Sequence, residues 1–115
     1  MKGFIMKLFT KAILNKLPTI GATSELDTKD CVVQMKLFNP MGSGTWYITE
    51  YDPETKEAFG FANLGDPQCA ELGYIPIDEL ESVKLPFGMK IERDRHFEPT
   101  SLDKVIKTIK SGGHI

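Results

Sequence analysis

Between Val33 and Ile77 the chain repeats one device: a short extended segment rich in aromatic or β-branched residues, then a turn with no room for a helix. Parallel neighbours need a crossover of a dozen residues or more, usually helical, and only the Asp78 to Val83 stretch could supply even a short one. The expected architecture is therefore α+β: a single, largely antiparallel sheet of about five strands with helices packed on one face. A helix should precede the sheet, a short one should come before the last strand, and a third should close the chain.

The periodicities locate the pieces. Val33, Met35 and Leu37 alternate with Gln34 and Lys36, the period of a half-buried strand, and "NPMGSG" turns the chain. In "TWYITEYD" successive side chains point opposite ways, so Trp46, Ile48, Glu50 and Asp52 should share one face and Tyr47, Thr49 and Tyr51 the other. "DPETKE" reverses the chain into "AFGFANL", where Phe59 and Phe61 share a face and Gly60 leaves room for a close approach opposite. "AELGYIPI" aligns Ala70, Leu72 and Tyr74, and "DELESV" suffices for a turn or two of helix before Pro86 and Gly88. "MKIERDRHF" then reads as a fifth strand, with Met89, Ile91, Arg93, Arg95 and Phe97 opposite Lys90, Glu92, Asp94 and His96.

Thr10 can cap the first helix, with Phe9 stapling against Leu14 and Pro18 stopping it. Thr100 or Ser101 caps the last, whose Leu102, Val105, Ile106 and Ile109 recur at helical spacing while Lys104, Lys107 and Lys110 take the opposite side before Gly112. "GATSELDTKD" reads as a solvated loop. The 115 residues, 41% of them hydrophobic, are expected to form one domain over 1–115, with flexible ends at 1–5 and 111–115.

A formal charge of −2 is too near balance for a basic polyanion binder or an acidic nucleic-acid mimic. Cys31 and Cys69 sit in no C-x-x-C pair and read as reduced, small apolar fillers of a cytoplasmic protein. Lys7 and Lys11 interrupt the apolar opening that would otherwise resemble a secretory leader, and no apolar run is long enough for a membrane span.

The densest chemistry is "IERDRHFEP". Arg93 follows Ile91 on the core-facing side as Glu50 follows Ile48, so an ion pair between Glu50 and Arg93 at the rim of the core is the expected use of both, given neighbouring strands. The sharper alternative gathers Glu50, Asp52, Glu92, Asp94 and His96 on a metal or as acid and base, or makes a metal-dependent enzyme of Glu50 and Asp52 with Glu71. One imidazole among carboxylates on alternating strand positions is a weak ligand set for a transition metal. Neither cysteine has a nucleophile's motif around it, and "GSG" and "SGG" lack the context of a phosphate loop. The Lys104, Lys107 and Lys110 face suits solubility better than phosphate contact. Trp46, Tyr47, Tyr51 and Tyr74 could stack on a base or dock a protein. Tyr47 and Tyr51, with the Glu92, Asp94 and His96 face, are the candidate partner-binding residues; no catalytic, cofactor or metal residue is assigned.

"TWYITEYD", "FGFANL", "AELGYIPIDELESV" and "IERDRHFEPTSL" together resemble a bacterial, plasmid and phage family known only as domain of unknown function twenty-nine fifty-eight. The likeness runs from Met6 to about Ile106 and carries the pattern W-Y-x-T-E-x-D, F-G-x, E-L-G-Y-F, I-E-R-D-x-x-F-x-P. Trp46, Tyr47, Glu50, Asp52, Phe59, Gly60, Glu71, Leu72, Gly73, Tyr74, Ile91, Glu92, Arg93, Asp94, Phe97 and Pro99 fall on it. Ile75 replaces the usual phenylalanine and Pro76 a common helix-capping serine. The resemblance implies an accessory protein of conjugative elements and prophages, and hence a small non-enzymatic protein that binds a host protein. Anti-defence inhibition of the anti-CRISPR type, with a CRISPR effector as partner, is one such job. It implies no cofactor and no residue roles; a nucleic-acid-binding accessory module is the remaining alternative.

Overall fold

Residues 8–115 are described by a computed structural model of the chain, so the expectations for Met1 to Ile5 lie outside the described residues. The elements are α1 (Lys11–Lys16), β1 (Val32–Val33), β2 (Met35–Phe38), β3 (Thr45–Asp52), β4 (Glu57–Asn63), β5 (Glu71–Pro76), α2 (Ile77–Ser82), β6 (Glu92–Arg93), β7 (Thr100–Ser101) and α3 (Leu102–Lys110). Five strands form one antiparallel sheet in the order β5-β4-β3-β2-β6, and β1 and β7 form a separate two-stranded ribbon. The fold is α+β, as the turn-limited connections require.

The turns follow from their residues. Asn39 opens the β2–β3 reversal by accepting the Met41 N–H on its side chain at 2.8 Å, and the Asn39 N–H donates to the Gly44 carbonyl at 3.0 Å. Asp52 opens the β3–β4 turn by accepting the Glu54 N–H at 2.9 Å. Thr10 caps α1 through the Ile13 N–H, and Ser101 rather than Thr100 caps α3 through the Lys104 N–H. No side chain caps α2, which begins after Pro76.

Helices pack on both faces of the sheet, which corrects the one-face expectation. On the first face, α1, α2 and the chain around Leu8 cover Met35, Leu37, Ile48, Tyr51, Ala58, Ile75 and Ile91. On the second, α3 and the β1–β7 ribbon cover Tyr47 and Phe61 with Leu102, Val105, Ile109, Val33 and Cys31. Each fully buried aliphatic side chain stabilises the fold by about 1.5–3 kcal/mol relative to exposure, so neither layer is dispensable. Both faces of β3 are apolar, and its pairing with β4 slips by one residue between Ile48 and Glu50. This β-bulge undoes the strict alternation: Tyr51 joins Ile48 on the first face while Tyr47 stays on the second.

Gly60 does what its position suggested. A Cβ there would lie 1.9 Å from the Tyr47 carbonyl oxygen, so only glycine lets β4 approach the bulged strand so closely. The expected fifth strand, by contrast, shrinks to Glu92–Arg93. After Asp94 N–H donates to the Lys36 carbonyl at 2.9 Å, the Asp94 side chain accepts the His96 N–H and its carbonyl the Phe97 N–H, which turns the chain off the sheet. The tail, 111–115, lies against the core. Gly113 N–H donates to the Thr108 carbonyl at 2.9 Å, and the Ile115 carbonyl oxygen accepts from Lys36 Nζ at 2.9 Å and the Tyr47 hydroxyl at 3.2 Å.

Candidate functional site

Glu50 is the most buried charged side chain described, 3% exposed in the middle of β3. Its partners come from the loop read as solvated: the N–H groups of Gly21 and Thr23 each donate to a carboxylate oxygen at 2.8 Å, and the Thr23 hydroxyl also donates. Three charge-assisted donors satisfy a buried carboxylate without a counter-ion. Arg93 is engaged elsewhere, donating from Nη1 to the Leu8 carbonyl at 2.7 Å. The expected Glu50–Arg93 ion pair is therefore absent among the described residues. Its premise fails as well, since β2 lies between β3 and β6.

The other candidate acids are equally committed to local structure. Asp52 closes a turn onto Glu54. Glu71 pairs with Ala62 and Glu50 with Phe59, itself opposite Tyr74, so three residues along the strands and two strand spacings across them separate the two acids, roughly 14 Å by ideal dimensions. Among the described residues no three His, Cys, Asp or Glu side chains gather as a metal-binding group. Glu92, Asp94 and His96 do not line one strand face, because Asp94 starts the turn that carries His96 away. Tyr47 and Tyr51 are buried at 1% and 6% exposure, which corrects their assignment as partner-binding aromatics. Burial pushes both phenols above their ordinary pKa.

What remains open lies at the two margins of the sheet. At the β5 edge, Tyr74 is 62% exposed and Leu72 40%, and the Tyr74 ring meets Phe59 edge-on at 5.3 Å between centroids. Among the described residues β5 pairs only with β4, and no other strand there pairs with its outer backbone. Tyr74 belonged to the aromatic set expected to stack or dock, and it alone of that set is largely exposed.

At the opposite margin a cleft of about 260 Å³ opens between α1 and the turn after β6, lined by Ile13, Lys16, Gln34, Met35, Arg93, Asp94, Arg95, Phe97 and Pro99. Five of these, Arg93, Asp94, Arg95, Phe97 and Pro99, come from the "IERDRHFEP" stretch. A second hollow of about 340 Å³ shares Asp94 with it and includes Lys36, Asn39 and Thr45. Lys36 had no expected role beyond strand alternation, yet it stands at a crossing, 3.9 Å from Asp94, 5.8 Å above the Tyr47 ring centre and bonded to Ile115. Only the pairing of β2 with both β3 and β6 brings these groups together.

Two further sequence expectations change. Cys31 is a buried filler, but Cys69 is exposed on the turn before β5, where the Asp66 carboxylate accepts its thiol at 3.3 Å and raises its pKa. The lysine face of α3 is divided: Lys104 is exposed, Lys107 pairs with Asp103 at 2.9 Å, and Lys110 clamps the Gln68 and Ala70 carbonyls at 3.0 and 2.6 Å.

The model of the family described as "Protein of unknown function (DUF2958)" matches residues 8–115. Comparison with curated proteins gives no match, and neither does comparison with solved structures.

Proposed function

Since the chain belongs to the DUF2958 family of proteins of unknown function, we propose that it acts by binding a partner protein rather than by transforming a substrate. The observation that carries this reading is the β5 margin, where Leu72 and Tyr74 stand exposed on an unpaired strand edge. An aromatic and an aliphatic group held rigid on a strand lose little entropy on contact and suit the centre of a protein interface. Glu50 and Asp52, the acids a catalytic reading would recruit, instead hold the Gly21–Thr23 loop and the β3–β4 turn.

The finer reading places this protein in the cytoplasm as an accessory of a mobile genetic element that binds a host protein, with anti-defence inhibition of the anti-CRISPR type as its use. Support for it is the context that the family resemblance implies, which assigns no residue a role.

The test is affinity capture from the native host's extract, with mass spectrometry, using the wild-type chain and a Leu72→Ser, Tyr74→Ser variant. The expected result is a defined protein retained by the first and lost by the second, with both chains melting alike. Turnover of a nucleotide or nucleic acid by the purified protein, abolished by Glu50→Gln in a chain that still folds, would replace the proposal with an enzyme.

A further inference from the structure

The geometry points to the cleft between α1 and the turn after β6 as a binding site for a carboxylate carried on a short apolar stem. Three cationic side chains, Lys16, Arg93 and Arg95, face one carboxylate, Asp94. This excess sits on a chain whose formal charge is −2, so it is a local feature and not a reflection of overall charge. Among the described residues none of the three cations has an ion-pair partner, and residues 1–7 contain no acidic side chain that could serve as one.

Asp94 does little to neutralise them. One of its oxygens accepts the His96 N–H at 2.9 Å and the other leans toward Lys36 at 3.9 Å, on the far side of the turn. Arg93 is held by its bond to the Leu8 carbonyl. A guanidinium has five N–H donors, so a bond from Nη1 fixes the fork in place and leaves other donors for a ligand. Such a fixed fork matches a carboxylate with less entropy to lose than a free side chain.

Size and lining select the rest of the ligand. Ile13, Met35 and Phe97 supply apolar wall, which suits a stem of a few methylenes beneath a charged head. At about 260 Å³ the cleft falls just below the range of roughly 300–1,000 Å³ that accommodates drug-sized ligands, so it favours a fragment over a nucleotide. Inorganic phosphate has no stem and would leave this apolar wall uncovered, so the lining favours a stemmed carboxylate. The carboxylate can come from a free small acid or from a glutamate side chain of a protein, and the chemistry is shared.

The test is an amide-resolved NMR titration of the full chain, at low and constant ionic strength, with three probes: butyrate, an N-acetylated and amidated pentapeptide with a single glutamate, and inorganic phosphate. Saturable shifts confined to the amides around Lys16 and from Arg93 to Phe97 are expected with a carboxylate probe, weakened about tenfold or more by Lys16→Glu, Arg95→Glu. Both side chains are exposed, so the variant should melt as the wild type does. Tighter binding of the peptide would identify a protein source, and tighter binding of butyrate a free acid. Lack of saturation by either carboxylate at millimolar concentrations, undiminished binding by the doubly substituted chain, or a preference for phosphate would each overturn the assignment.

Discussion

Two ionic regions on the same sheet have opposite fates. In the middle of β3 the Glu50 carboxylate is almost wholly buried and three donors of its own chain surround it. At the β6 margin three cations stand around a cleft with one carboxylate, which is turned aside. The difference teaches that charge does not announce a functional site; unspent hydrogen-bonding capacity beside a cavity does. Glu50 has exhausted its capacity on folding the Gly21–Thr23 loop, whereas Lys16, Arg93 and Arg95 have not.

The comparison can be broken first at the closed centre. Gly60→Ala would place a methyl 1.9 Å from the Tyr47 carbonyl oxygen and should cost about 4 kcal/mol or prevent folding, read by urea denaturation. A loss under about 1 kcal/mol would mean that the bulge tolerates a side chain and that the centre is not closed. Glu50→Ala comes next, with an expected loss of about 3 kcal/mol because it leaves the Gly21 and Thr23 N–H groups without their acceptor. Arg95→Ala, on the open margin, should change stability by no more than about 0.5 kcal/mol. Equal losses at the two positions would erase the distinction drawn here.

Alkaline titration sharpens it further. Tyr47 and Tyr51 are buried with their pKa raised above the ordinary 10.0, so the unfolded chain releases these protons at lower pH than the folded one. Their contribution is fully present below pH 10.0 and falls as pH rises through the folded values, at most by about 1.4 kcal/mol per pH unit for each phenol. Tyr47→Phe should flatten that decline in denaturant midpoints measured across the alkaline range; an unchanged slope would show that the burial of Tyr47 does not govern it. An effect of opposite sign is expected at Phe87, which is 93% exposed with φ of 61° in the loop leading to β6. Phe87→Gly should leave stability unchanged or raise it by about 0.5–1 kcal/mol, since glycine adopts that backbone without strain. A clear loss would reveal a contact that the exposed ring makes.

Legibility divides along the same line. β3, β4 and α3 could be read from the chain because alternation, turn residues and helical spacing are local signals, and the close approach at Gly60 followed from the missing side chain alone. The family pattern was equally readable, since it consists of residues in order. The Glu50–Arg93 pair failed because strand order is not a local property: β2 enters between the two strands only when the sheet assembles. The bulge was invisible for a similar reason. A single slipped residue in the β3–β4 register sends Tyr51 to the face opposite Tyr47, and no periodicity in "TWYITEYD" marks it.

By itself, then, the sequence determined the α+β class, the antiparallel pairing, the position of most elements and membership of the DUF2958 family. Tertiary structure alone decided which charges were consumed and which left over. Hydrogen-bond partners such as Gly21 for Glu50 and Leu8 for Arg93 lie 29 and 85 residues away, and a chain can specify such meetings only by completing the fold that brings them about.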